Sequence, residues 1–226
     1  MKFIVVEGVD GSGKSTQIKL ITKHLEMNGI AYRYVHFPRT DSKIYGELIA
    51  RFLRGDFGNL NAVDPYLVAL LYAGDRNDAA PMIRDWLNQG FLVLLDRYVY
   101  SNIAFQCAKL IDPGKQDVLR NWILDLEYGY NRIPKPDVNI LLDVPFSFTQ
   151  KKLTAERTGD ERDYLQGMRD IHEEDLDFQK RVRNMYVRQS ETCADLKIVN
   201  CIDDQGEMSA PEIIFGKILN HIHLNS

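Results

Sequence analysis

The chain has 226 residues, of which 45% are hydrophobic and 27% charged, and a net charge of −4. This length suits one α/β domain with a sizeable core, and the composition is ordinary for a globular protein. The acidic balance speaks against a broad nucleic-acid-binding face, and no stretch nears the roughly 20 apolar residues of a membrane span.

In chain order, the apolar run 3–6 predicts a buried parallel strand, and 14–27 carries Ile18, Leu20, Ile21 and Leu25 at roughly helical spacing. Asn28-Gly29 marks a stop, and 30–37 predicts a second strand ending at Pro38. A helix is expected over 42–53, then a turn-rich loop over 54–61. Asp64-Pro65 reads as a cap with proline in the first turn, opening a helix to about 77, and Pro81 opens another that stops at Gly90. The third strand is 91–95, and helices follow over 99–109 and 115–128. The fourth strand is 138–142, and a helix from Phe146 leads into a polar, charged stretch interrupted by Gly159. A long charged helix over 164–190, a strand over 196–200 and a helix over 210–221 close the chain. Alternating strands and helices imply a five-stranded parallel sheet with helices on both faces, in one domain over 1–226. Cys107, Cys193 and Cys201 show neither metal-type spacing nor a disulfide framework. As reduced thiols they point to the cytoplasm, and Glu7 cuts the N-terminal apolar run too short for signal-peptide anatomy.

The chemistry concentrates at residues 8–15, Gly-Val-Asp-Gly-Ser-Gly-Lys-Ser, which match G-x-x-x-x-G-K-[ST] between a strand and a helix. Gly8, Gly11 and Gly13 let backbone N–H groups turn inward onto phosphate oxygens, and the helix opening at Lys14 adds its positive end. Lys14 brings a mobile cation to the outer phosphates, and the Ser15 hydroxyl can ligate magnesium. The nucleoside triphosphate site thus comprises Gly8, Val9, Asp10, Gly11, Ser12, Gly13, Lys14, Ser15 and Thr16.

At the tip of the third strand, Asp96 is where such folds place a magnesium-associated carboxylate, with Arg97 facing the same crevice. The bland alternative for this pair is a surface salt bridge. Leu142-Asp143-Val144-Pro145 lacks the Asn/Thr-Lys-x-Asp by which GTPases hold guanine. The charged stretch over about 151–164 fits a mobile lid, in which Arg157 and Arg162 would swing onto the phosphates in transfer and exclude water. A solvated loop is the commoner fate of such a run.

Several separated motifs in order resemble the thymidylate kinase family: residues 7–17, Phe37-Pro38-Arg39, Leu71-Tyr-Ala-Gly-Asp-Arg76, Asp96-Arg-Tyr-Val-Tyr-Ser101-Asn102, the charged lid and His172-Glu173-Glu174-Asp175. The resemblance covers nearly the whole chain. It implies the P-loop kinase fold and magnesium-dependent transfer of the ATP γ-phosphoryl group to dTMP, giving dTDP for dTTP synthesis, in a homodimer. Tyr72 and Arg76 lie four apart on one helix face, so a ring can stack on the base while a guanidinium donates to its 4-carbonyl. The residues alone also allow Tyr72 in the core and Arg76 paired with Asp75 or Asp78.

By resemblance, Asn102 and Gln106 lie near the polar edge of thymine and Phe105 against the deoxyribose. Phe37 and Pro38 would help to line the acceptor site. Arg39 and Arg97 clamp the acceptor phosphate near Ser101, Asp10 reaches the 3′-hydroxyl side or a magnesium-bound water, and Glu173 holds a water-bridged magnesium. Asp10, Lys14, Arg97, Arg157 and Arg162 are then the catalytic set, and Ser15, Asp96 and Glu173 the metal set. Tyr72 and Phe105 depart from the family's usual Phe and Tyr, and Gly11 stands where one branch carries Arg. The resemblance is therefore to the branch with a basic lid. The apolar helices at 67–71 and 123–126 are candidates for the dimer interface.

Overall fold

The computed structural model describes residues 2–154, 164–168, 170–173 and 175–222. Five parallel strands lie in the order β2-β3-β1-β4-β5: β1 Phe3–Glu7, β2 Tyr32–His36, β3 Leu92–Asp96, β4 Val138–Asp143 and β5 Leu196–Asn200. Side-chain burial follows that order. The central strands β1 and β3 are buried throughout, as unbroken apolar runs require, whereas the edge strands β2 and β5 each expose three of their five residues. Val6 stands beside Asp96 in the β1–β3 register, which brings the loops leaving both strands to one end of the sheet.

The helices are α1 Lys14–Met27, α2 Tyr45–Leu53, α3 Pro65–Asn88, α4 Val99–Cys107, α5 Pro113–Leu124, α6 Phe146–Thr154, α7 Leu176–Ser190 and α8 Pro211–Leu219. A π-helical turn, Asp125–Tyr130, continues α5. Among the described residues the main core joins the sheet to α1, α3, α4, α5, α7 and α8, and Phe52, Ile49, Leu53 and Val68 form a smaller cluster between α2 and α3. The three cysteines are free thiols.

Three expectations change. The two helices expected over 64–77 and 81–90 are one helix of 24 residues with Pro81 inside it. Ala79, Ala80 and Ile83 are fully buried around the proline, and that packing outweighs the missing N–H. The helix expected from 164 begins only at Leu176. Gln166 and Gly167 have left-handed backbone, and the Asp175 carboxylate caps the new start by accepting from Phe178 N at 2.8 Å. Ile123 is fully buried in the core, so it contributes no exposed apolar surface.

Candidate active site

Gly13 precedes α1 at φ 85°, a conformation that favours glycine and turns the loop into the helix. Lys14 folds back over this loop, its Nζ donating to the carbonyls of Val9 at 3.0 Å and Gly8 at 3.3 Å. Burial, reinforced by the Arg97 guanidinium, pulls its pKa down to about 8. Ser15 and Thr16 are exposed at the helix start, whereas the Ser12 hydroxyl is buried without a partner.

Arg97 also has left-handed backbone, at φ 67°. From there its guanidinium crosses the crevice to donate to Gly8 O at 2.8 Å, to Ser101 Oγ at 3.2 Å and to the Asp10 carboxylate. Burial opposes ionisation of Asp10, yet Arg97 and Lys14 together hold its pKa down at about 2. Gln179 of α7 clips the same residue twice, donating to Asp10 Oδ2 at 2.8 Å and accepting from Asp10 N at 3.2 Å. It also donates to His172 O at 2.8 Å, which ties the phosphate loop to the 170–173 segment.

Beneath this layer lies Glu7, wholly buried at the end of β1. Its carboxylate accepts from Tyr98 N at 3.0 Å, Ser101 N at 3.3 Å, Tyr186 OH at 3.0 Å and the Ser101 hydroxyl. Burial raises its pKa even so. Farther along α7, Arg183 makes two bonds to Asp143 at the tip of β4, at 2.6 and 2.8 Å. One helix thus grips the ends of β1 and β4.

At the tip of β3, Asp96 takes His36 Nδ1 at 3.2 Å on Oδ2, while Oδ1 is buried with no partner. Burial alone would raise this carboxyl, but His36 and Lys14 outweigh it and lower its pKa. Glu173 lies elsewhere, beside Asp170, whose own carboxyl is pushed up to about 7 by burial with Asp10 and Glu173 adding. Among the described residues no three His, Cys, Asp or Glu side chains gather into a metal cage.

On α3, Arg39 is tied to Asp75 through Nε at 2.8 Å and to Asp78 through Nη2 at 2.6 Å. The Asp75/Asp78 pairing considered for Arg76 therefore belongs to Arg39. Arg76 is 2% exposed and commits Nε and Nη2 to Glu127 Oε1 of the π-helical turn. Asn102 of α4 donates through Nδ2 to Ala69 O at 3.1 Å and Glu127 Oε1 at 3.3 Å, which leaves Oδ1 buried without a partner. Gln106 Oε1 is likewise buried and unpartnered. Arg97 lies over the Phe105 ring, 5.0 Å from its centroid, and His172 packs against that ring at 5.1 Å. Tyr72 is half-buried against the α2–α3 cluster. Phe37 is 1% exposed and packs on Tyr98 in the core, next to Pro38.

A family model described as "Thymidylate kinase" matches residues 6–207. The chain belongs to the thymidylate kinase family. It is 32% identical over 208 residues to a "probable thymidylate kinase" of Thermococcus kodakarensis, covering 89% of this chain and 90% of that protein. It is also 32% identical over 184 residues to the "thymidylate kinase" of Mycobacterium tuberculosis, covering 81% and 83%. Among solved structures, the Candida albicans thymidylate kinase shares the fold at a TM-score of 0.72 and 24% identity, over 98% of this chain and 90% of that one.

In this thymidylate kinase chain, part of the expected site set comes together. Asp10, Lys14, Arg97, Ser101 and Phe105 form one contact network, and Arg76 and Asn102 form a second through Glu127. Arg39 stands by the α3 carboxylates. The lid arginines Arg157 and Arg162, with most of the expected lid, lie outside the described residues. Sequence reasoning passed over Glu7, Glu127, Gln179 and Tyr186 as site residues. One signal for Glu127 was present: it continues the buried α5 stripe Leu119, Ile123 at the next four-residue step.

Proposed function

We propose that this kinase reads the base of dTMP through Arg76 and Asn102 while it transfers the γ-phosphoryl group of ATP, giving dTDP. The buried, unpartnered Asn102 Oδ1 beside the Arg76 guanidinium carries this reading. Because Asn102 Nδ2 is already engaged, the amide offers the pocket an acceptor, and Arg76 offers a donor. Thymine presents the complement, an N3–H donor and an O4 acceptor, whereas cytosine presents the reverse at both atoms. A mismatch there leaves buried polar groups unpaired, which gives discrimination its size.

Phosphoryl transfer needs positioning and charge neutralisation more than a base, because the acceptor is already an anionic phosphate. Loop amides and Lys14 cradle the donor, Arg97 with Arg39 meets the acceptor phosphate, and Asp10 orients Arg97. The lid arginines Arg157 and Arg162 would complete the cage and exclude water. Magnesium fits hard oxygen donors at Ser15 and at the unpartnered Asp96 Oδ1, and it would neutralise charge between the phosphates. Glu173 would reach such an ion only through water.

We also assign a homodimer and a cytoplasmic location. Leu67 and Leu70 of α3 are 58% and 48% exposed, and Val118 and Trp122 expose more apolar surface on neighbouring α5. The three free thiols support a reducing compartment. Among the described residues, no helix is long and apolar enough to cross a membrane. One domain over residues 1–226 is the working unit.

The test is ATP consumption with magnesium against dTMP, dUMP, UMP, dCMP, dGMP, AMP and thymidine. Preference for dTMP with dUMP second is expected. Equal use of dCMP would remove the base reading, and preference for thymidine would remove the phosphate clamp.

A further inference from the structure

Among the described residues Glu127 hydrogen-bonds to neither the phosphate loop nor the crevice between β1 and β3, yet its carboxyl is completely buried. It sits on the π-helical turn, where Asn131 N bonds back five residues to Leu126 O at 2.8 Å. Its Oε1 accepts from Arg76 Nε at 2.9 Å, from Arg76 Nη2, and from Asn102 Nδ2 at 3.3 Å. One oxygen therefore meets both Arg76 and Asn102, sharing the latter with Ala69 O at 3.1 Å.

We propose that Glu127 is the positioning residue that sets the hydrogen-bonding pattern of the acceptor pocket, and so the choice of base. An Asn amide can present either end to a ligand, and only its partners decide which. Glu127 carries no proton donor when ionised, so together with Ala69 O, at 3.1 Å, it draws the NH₂ of Asn102 and turns Oδ1 to the pocket. The same oxygen takes two of the three guanidinium nitrogens of Arg76, which leaves Nη1 as the remaining arm and fixes the plane of the fork. The carboxylate thus fixes the donor at Arg76 and, with Ala69 O, the acceptor at Asn102, without touching the substrate. This inference rests on the reading of Arg76 and Asn102 as base contacts.

Glu127→Gln tests it, because the near-isosteric amide keeps the shape and loses the charge that pins Arg76 Nε and Nη2. The Gln oxygen stays on Arg76 and Asn102 keeps its NH₂ on Ala69 O, so what the variant removes is the charge that fixes the Arg76 fork. The measurement is kcat and KM for dTMP and dCMP in the wild type and the variant, with a thermal melt of each. The expected result is a fall of about tenfold or more in the dTMP-to-dCMP ratio of kcat/KM, carried mostly by a higher KM for dTMP. If both acceptors slow by one common factor, or the ratio stays within about twofold, Glu127 merely ties α3 to the π-helical turn and the inference is overturned. If Glu127→Gln does not fold, Glu127→Asp decides by the same ratio: a fall of more than about threefold supports the role, and a common slowing removes it. A wild type indifferent between dTMP and dCMP defeats the base reading itself, and that outcome is visible without any variant.

Discussion

Arg97 illustrates how single residues carry this site. Its left-handed backbone, at φ 67°, costs about 1 kcal/mol for a residue with a side chain. That conformation is repaid by aim, since the guanidinium reaches Gly8 O, Ser101 and Asp10 from the end of β3. Arg97→Ala is expected to lower kcat/KM for dTMP by about 10²- to 10³-fold, as for other preorganised donors, and a near-normal value would contradict the assignment. Lys109 makes a different prediction. Its buried ammonium has no hydrogen-bond partner, lies 4.7 Å from the centroid of the Phe52 ring, and is pulled down to about 7 by burial. A depressed folded pKa means that the unfolded chain binds more protons between about pH 7 and the ordinary lysine value near 10.4, so stability from this group rises with pH there. Lys109→Met should therefore raise Tm most at or below pH 7, with the gain fading toward pH 10. A gain independent of pH would show that charge burial is not its cause.

At the scale of elements, the first turn of α2 is pressed against the Arg39 loop. A Cβ on Gly46 would stand 2.1 Å from the Arg39 carbonyl oxygen and 2.9 Å from the Thr40 carbonyl carbon. Backbone, not a flexible side-chain tip, would have to give. Gly46→Ala should cost about 1–3 kcal/mol of stability and displace Arg39 from Asp75, raising KM for dTMP more than that for ATP. Equal effects on both KM values would place the damage elsewhere. The same scale shows what a sequence reveals. The β1–loop–α1 unit and β5 were legible because each is a local pattern of apolar period, glycine and lysine. Pro81 suggested a break because its missing N–H is local, whereas the burial of Ala79, Ala80 and Ile83 that overrides it is tertiary. Arg76 and Asn102 could be named from their motifs, but Glu127 meets them across 51 and 25 residues, and Gln179 meets Asp10 across 169. Nothing in a local period encodes such pairs.

The whole molecule presents an apolar face where α3 and α5 lie side by side, with Tyr66 and Trp122 in an edge contact at 5.0 Å. Leu67 and Leu70 on that face give the dimer assignment its test. Sedimentation of the wild type at micromolar concentration should give a dimer, and the double variant Leu67→Asp/Leu70→Asp a monomer that keeps its far-UV spectrum. A monomeric wild type would overturn the assignment.

The strand order also bears on how the chain is made. β1 is synthesised first, yet its two sheet neighbours are β3 and β4, which begin only at Leu92 and Val138. At ribosomal rates of about 5–20 residues per second, the apolar segment that will end in the phosphate loop waits several seconds for its first partner. The last partner of its terminal Glu7 carboxylate, Tyr186, arrives 179 residues later. The nascent chain therefore carries a strongly apolar strand unpaired until residue 92 and beyond, a natural client interval for a chaperone.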